Sequence, residues 1–288
     1  MLSKKKYLIL SPMGGLGNQI FQVLYGIYLS RITKRDLLIS DAHYKVYKKF
    51  PFIIEKIFNN EIINHVSTLR LLIYKFFFKS ETLFDENIFK ISHKFKNQVI
   101  NSSKDIVFIK GYWQSLKYLN ENINLEKILQ KKFNQKKIHI STDKIPVALH
   151  IRRGDYYSEK NVKKLHGIIS DSYFKNCIEY FNRIHNFNVR FYIFSDDIRY
   201  TKNVSYLKNL DCKFIDNTST ISSFIDLSFF QNYIISNSTF SLLAAFIAYK
   251  REQNITICAP KYWYGDLKYS STELLMNFNN INLKIIDN

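Results

Sequence analysis

The chain has 288 residues, 46% of them hydrophobic, and carries 42 Lys and Arg against 24 Asp and Glu, a formal net charge of +18. That is enough apolar sequence for one large packed domain or two of ordinary size. Its three cysteines, Cys177, Cys212 and Cys258, are widely spaced and odd in number, which excludes a Cys-x-x-Cys zinc knuckle and a disulfide framework and fits a reducing compartment.

The chain opens on "MLSKKKYLILSPMGG", a basic start followed by an apolar stretch too short for a signal peptide. Residues 7–10 read as a short strand, "SPMGGLGNQ" as a glycine turn, and 20–31 as a helix. Residues 41–100 mix aromatics with lysines and give only weak helical signals. Within them "LRLLIYKFFFKS" is the most apolar tract, but Lys75 interrupts it and it is too short to span a bilayer. "DIVFIKGYWQS", 105–115, reads as a strand running into a loop, and "EKILQKKF", 126–133, as a helix. The basic stretch at 134–144 is the best boundary, and it divides the chain into domains over 1–140 and 141–288. The two halves differ in charge: 24 basic and 10 acidic residues in 1–140 give +14, and 18 and 14 in 141–288 give +4. Such asymmetry marks a face that meets nucleic acid, anionic lipid or a phosphorylated substrate, or else reflects only a lysine-rich composition.

From Val147 onward strands and helices alternate. "IPVALHIRRGD" reads as a strand, and 170–184 as an amphipathic helix capped by Ser170 or Asp171. "VRFYIFSDD", 189–197, is a strand ending in acids, and 212–216 is a short strand. A helix follows at 222–232, then a strand, a polar turn and a helix across 233–249, and a last strand at 254–263. This alternation predicts an α/β domain with a parallel, doubly wound sheet, whose ligands sit at the carboxyl ends of the strands.

Four polar clusters fall at such ends. In "GGLGNQ", Gly14, Gly15 and Gly17 permit close backbone approach before a helix whose N-terminal end suits a phosphate; a plain tight turn reads equally well. "HIRRGD" is sharper. Two adjacent arginines at the end of an apolar strand call for counter-charges, because burying an unpaired guanidinium is costly. A guanidinium also matches phosphate oxygens in a bidentate fork. If the strand continues, Arg152 and Arg153 face opposite ways, so one serves a ligand and the other pairs with Asp155 or another acid, with His150 on the Arg152 face. "FSDD" offers Asp196 and Asp197 to a metal or to the paired N–H donors of guanine, or as a helix cap. "SNSTFS" sets Ser236, Asn237, Ser238, Thr239 and Ser241 at a strand-to-helix turn, fit for phosphate or for an elaborate cap. No Asp-x-Asp accompanies these strand ends and the histidines are scattered, so no metal dependence is expected.

Taken in order, "GGLGNQIFQ", "GYWQSLKYL", "HIRRGDY", "FSDD", "IISNSTFS" and "APKYW" resemble the signature blocks of the bacterial α-1,2-fucosyltransferases, glycosyltransferase family 11, over nearly the whole chain. "HIRRGD" is also similar to the H-x-R-R-x-D motif of α-1,6-fucosyltransferases. The resemblance implies a GT-B architecture, two Rossmann-like domains facing across a cleft, with the N-terminal domain on the acceptor side. It implies GDP-β-L-fucose as donor, no cofactor or required metal, and inversion to an α-fucoside at the 2-hydroxyl of a terminal galactoside. Carried over by position, Arg152 holds the donor pyrophosphate, with Arg153 as the other choice. His150, Arg153, Asp196, Asp197, Asn237, Ser238 and Thr239 contact the donor, and Gly14, Gly15, Gly17, Asn18 and Gln19 line the acceptor side. The general base is Asp155 or Glu159, or Asp155 instead pairs with an arginine. The chain departs from the family where tryptophans usually stand: Tyr200 follows "FSDD", and Leu242 and Leu243 follow "STFS".

A family of this kind implies a cytoplasmic enzyme of O-antigen or capsule synthesis. Its acceptor is a galactose-terminated glycan carried on lipid, and its basic half makes peripheral contact with the anionic inner face of the membrane. A transferase using another GDP-sugar is the alternative, raised by the missing tryptophans. A nucleic-acid-binding protein is the reading from charge alone, although no RNP pattern, helix-turn-helix or zinc spacing supports it.

Overall fold

The computed structural model describes residues 5–58, 64–87, 92–119, 138–154, 160–216, 219–252, 254–265, 274, 275, 278 and 281–287. The chain divides into two units, Met1–Phe133 and Asn134–Asn288.

The first unit runs β1 (Tyr7–Leu10), α1 (Leu16–Thr33), β2 (Asp36–Ile39), α2 (Ala42–Val46), β3 (Asn64–His65), α3 (Thr68–Phe77), β4 (Ser80–Phe84), α4 (His93–Asn101) and β5 (Ile106–Lys110). Its sheet has the order β3-β2-β1-β5-β4, with every pair parallel. A parallel sheet is covered on both faces, which is why β1, residues 37–39 of β2 and residues 106–109 of β5 are short apolar runs. Helix α1 is buried on nearly all sides from Leu16 to Leu29. Gly26 permits that burial, because a Cβ there would stand 3.2 Å from Leu37 and 3.3 Å from Leu10. The helix begins four residues before the predicted Ile20, so Gly17, Asn18 and Gln19 are helical and Gly15 is the extended N-cap. Among its described residues the weakly patterned 41–100 region holds strands β3 and β4 and helices α2, α3 and α4. β3 and β4 escape sequence reading because they are the sheet's two edges, with β3 only two residues long and β4 half exposed.

The second unit runs β6 (Ile145–Ile151), α5 (Lys160–His166), α6 (Asp171–Ile184), β7 (Val189–Ser195), α7 (Ile198–Lys202), β8 (Cys212–Phe214), α8 (Thr220–Leu227), β9 (Asn232–Ile234), α9 (Thr239–Glu252), β10 (Thr256–Pro260) and β11 (Asn282–Ile286). The sheet order is β11-β10-β9-β6-β7-β8, again all parallel. One core packs Val147, Leu149 and Ile151 of β6 and Phe191 and Ile193 of β7 against Tyr173, Cys177 and Phe181 of α6. Each such fully buried aliphatic side chain contributes roughly 1.5–3 kcal/mol. The expected doubly wound sheet is present, with corrected limits. β6 stops at Ile151, before the arginines, and α8 ends five residues before the predicted Asn232. The final strand β11 was not expected: Lys284 interrupts its apolar pattern, as befits a sheet edge. The predicted helix at 126–133 lies outside the described residues. Among the described residues no helix is long and apolar enough to cross a membrane.

In both sheets the chain winds one way from a central strand and then resumes on its other side. The switch points are β1/β5 and β6/β9, and ligands of doubly wound sheets bind at the carboxyl edge beside such points.

Candidate active site

At the β6/β9 switch point the two loops are joined through one hydroxyl. Ser236 Oγ donates to the His150 carbonyl at 2.7 Å and accepts the Arg152 N–H at 3.1 Å. The loop after the neighbouring strand β7 supplies Asp196. Its Oδ1 accepts the Arg153 N–H at 2.8 Å, and its Oδ2 lies 2.9 Å from Arg152 Nη1. Gly154 leaves room for this carboxylate, since a Cβ there would lie 2.4 Å from Asp196 Oδ2. Three strand ends are thereby tied around one arginine.

The adjacent arginines part company. Arg153 turns inward: its guanidinium lies 3.9 Å from the centre of the Tyr200 ring, contacts the Tyr200 hydroxyl and sits 3.3 Å from Asp171 Oδ1. Asp171 is available because Ser170, not Asp171, caps α6 by accepting the Tyr173 N–H. Arg152 is the more accessible of the two, with 22% of its side chain exposed against 10% for Arg153. It is paired at the switch point with the Asp196 carboxylate in a charge-assisted contact.

The other predicted donor residues divide between scaffold and surface. His150 is buried and stacks on Phe240, with ring centres 5.4 Å apart, rather than facing out beside Arg152. Burial, and then the charge of Arg152, lower its pKa to about 3, so the imidazole is neutral at physiological pH. Asp197 caps α7 by accepting the Tyr200 N–H at 3.0 Å. Ser238 accepts the Phe240 N–H at 3.3 Å, so the capping role weighed for the polar turn is present here too. Asn237 is buried and donates to the carbonyls of His166 at 2.6 Å and Trp263 at 3.2 Å. Those two loops touch glycine to glycine: Gly167 has φ +70°, and a Cβ on it would meet Gly265 Cα at 3.2 Å. Thr239 is the half-buried first residue of α9. The first-turn N–H groups of such a helix have no carbonyl behind them and favour an anion. Asp155 and Glu159 lie outside the described residues.

The first unit fills its own switch point with amides. Gly14 has φ +79°. Its carbonyl accepts from Gln19 Nε2 at 3.1 Å and from the Tyr44 hydroxyl at 2.8 Å. Gln19 also donates to Pro51 O and accepts the Ile53 N–H, and it is fully buried. Gln22 closes the turn by exchanging hydrogen bonds with the Met13 backbone at 2.9 and 3.0 Å. Asn18 is half-buried and accepts from Gln114 Nε2 at 2.9 Å, which joins "GGLGNQ" to "GYWQS". Gly15 is half-buried beside Phe50, and Gly17 is buried within α1. Thus the turn is built from the inside, and Gln19 is part of its frame.

Sequence reasoning missed Asp171, Tyr200 and Phe240 as partners of the motif, as well as Gln22 and Gln114. Tyr200 carried a signal, because it stands where the resembling family has tryptophan and keeps an aromatic face under Arg153. Among the described residues no group of three or more His, Cys, Asp or Glu is placed to hold a metal ion.

A family model described as Glycosyl transferase family 11 matches residues 3–280. An α-1,2-colitosyltransferase of Escherichia coli is 28% identical over 281 residues, covering 87% of this chain and 90% of that protein. The O-antigen biosynthesis glycosyltransferase WbnK of Escherichia coli is 25% identical, covering 88% and 93%. Among solved structures, a variant of Arabidopsis thaliana FUT1 in complex with GDP matches with a TM-score of 0.55 at 12% identity, over 92% of this chain and 72% of that one. The fucosyltransferase NodZ from Bradyrhizobium matches with a TM-score of 0.55 at 12% identity, over 93% and 97%. At such identity these structures show a shared fold, which bears out the GT-B class implied by the motifs.

Proposed function

The chain belongs to glycosyl transferase family 11, and from that premise we propose that it moves L-fucose from GDP-β-L-fucose to the 2-hydroxyl of a galactoside at the end of a lipid-carried O-antigen or capsule glycan. The observation that carries this reading is Arg152, fixed at the β6/β9 switch point by Ser236 and paired with Asp196 at 2.9 Å. A nucleoside diphosphate entering there displaces Asp196 from the guanidinium and is met by the first turn of α9.

In the transfer, the acceptor oxygen bonds to the anomeric carbon as the bond from that carbon to the β-phosphate oxygen breaks. The electron pair leaves with GDP, the configuration inverts from β to α, and the hydroxyl proton passes to a carboxylate, Asp155 or Glu159. Charge grows on the leaving diphosphate, and a preorganised cation there stabilises the transition state more than the ground state. Arg152 supplies that cation directly. Arg153, clasped by Tyr200 and Asp171, keeps the loop in place and adds positive potential. In this account fixed cations suffice and no metal is required.

The 28% identical colitosyltransferase favours a second reading, in which the donor carries colitose. Colitose is fucose without its 3-hydroxyl. A site that hydrogen-bonds that hydroxyl rejects the deoxy donor by on the order of 10⁴-fold, whereas an apolar contact discriminates weakly. Family membership leaves the nucleic-acid reading without support.

The test is GDP release from GDP-fucose and from GDP-colitose with galactose-terminated acceptors, with and without EDTA, followed by NMR assignment of the linkage. EDTA-insensitive transfer of fucose to the 2-position supports the proposal. Turnover with GDP-colitose alone moves the chain to the second reading. Dependence on a divalent ion would overturn the metal-free mechanism.

A further inference from the structure

Helix α3 has its apolar side outward. Ser67 caps it by accepting the Arg70 N–H at 3.3 Å. Its inward contact is narrow: Tyr74 is buried with Ile9, Val66 and Phe108, and Leu71 is partly buried. Leu69, Leu72, Ile73 and Phe76 are 70%, 49%, 43% and 79% exposed, and Phe77 is 81% exposed. The first four stand at i, i+3, i+4 and i+7, which is one continuous helical stripe. In a monomeric water-soluble fold that stripe would be polar; a contiguous apolar patch of this kind marks a surface with an occupant.

The surrounding charge identifies the occupant. Arg70 and Lys75 lie on the same helix, each drawn along an aromatic face, 5.4 Å from the ring centres of Tyr74 and Phe108. Lys79 follows, and no acidic residue falls between 64 and 79. Across residues 1–133 there are 22 basic and 10 acidic residues, a net +12. A second copy of the chain would bring this basic surface against itself, because a two-fold interface pairs like with like. An anionic bilayer complements both features at once.

We infer that α3 is an interfacial helix that seats the first unit on an anionic lipid surface. Its ten residues span about 15 Å, too short to cross but long enough to lie in the interfacial plane. The phenylalanines and leucines enter the boundary between headgroups and acyl chains, and the basic side chains extend to the headgroups. The inference does not depend on the identity of the donor sugar.

Flotation of the full chain with vesicles tests it. The lipids are phosphatidylcholine alone, or phosphatidylcholine and phosphatidylglycerol in equal parts, at low and high salt. The chain is expected to float with the anionic vesicles, to partition at least about tenfold less onto the neutral ones, and to be released by salt. Combined Leu72→Ser, Phe76→Ser and Phe77→Ser is expected to reduce partitioning at least about tenfold while leaving Tm and turnover of a water-soluble acceptor unchanged. Arg70→Gln, Lys75→Gln and Lys79→Gln together are expected to abolish the salt-sensitive part. Failure of the chain to float would overturn the inference, as would undiminished binding of the serine variant. So would a concentration-dependent dimer that the serine substitutions dissociate, which would assign the stripe to a second copy.

Discussion

The two units place a switch point at the carboxyl edge of a parallel sheet and fill it with opposite chemistry. In the second unit the loops after β6, β7 and β9 converge on two guanidiniums and a carboxylate. In the first, neutral amides of α1 bond the backbone carbonyls of the loop after β1, and Asn18 accepts from Gln114 of the loop after β5. Gln19 and Gln22 can do nothing with an arriving anion that they do not already do for their own turn. Arg152 can exchange one anion for another. The contrast separates an edge that holds its own backbone from the edge proposed to hold the donor, although both begin as a strand running into a polar turn.

Substitutions that act on one edge and spare the other sharpen this contrast. The largest effect is expected for Arg152→Ala. It removes about 3 kcal/mol of transition-state stabilisation, 10²- to 10³-fold in kcat, which steady-state GDP release would show. Stability changes little, because the pair with Asp196 is partly solvated. Arg152→Lys recovers only part of the rate, since an ammonium lacks the planar fork. Near-normal turnover of Arg152→Ala would break the comparison.

Gln19→Ala is expected to do the reverse. It removes the buried amide that bonds Pro51 O and the Ile53 N–H and leaves the Gly14 carbonyl to the Tyr44 hydroxyl alone, costing roughly 1–3 kcal/mol by chemical denaturation. GDP affinity of the folded protein stays unchanged.

A smaller effect follows from His150. Its pKa of about 3 lies below the ordinary 6.5. Below pH 6.5 the unfolded chain therefore takes up the proton first, and the native state loses stability progressively as pH falls to about 3. His150→Gln is expected to flatten the urea-stability profile in that window and to leave it unaltered above. The smallest effect is expected at the opposite edge of the same sheet. There Arg190 and Lys144 hydrogen-bond Asp211 and lower its pKa to about 2, but a third of the carboxylate side chain is exposed. Asp211→Asn should lower Tm only slightly and should leave GDP affinity alone.

Much of the ligand edge was legible because a buried parallel strand has an unmistakable end. The apolar run of β6 breaks at Arg152, and the serine-rich turn after β9 announces a helix start. The partners were not legible. That Asp196 meets Arg152 while Asp171 and Tyr200 hold Arg153 depends on the register of β7 and on which residue caps α6, across separations of 18 to 47 residues. Burial of His150 was hidden too, because Phe240 covers it from a helix 90 positions away. In the first unit the glycines marked the turn, but the amides that brace it look in sequence like any polar residues of a helix. Edge strands β3, β4 and β11 lack the buried alternation or apolar run that reveals a strand.

The most direct test is calorimetric titration of GDP into the unsubstituted protein, Arg152→Ala and Gln19→Ala under identical salt. The account predicts binding that Gln19→Ala preserves and Arg152→Ala weakens by at least about tenfold, the scale of a charge-assisted hydrogen bond. Equal affinity in all three, or loss confined to Gln19→Ala, would contradict the assignment of the arginine edge to the diphosphate.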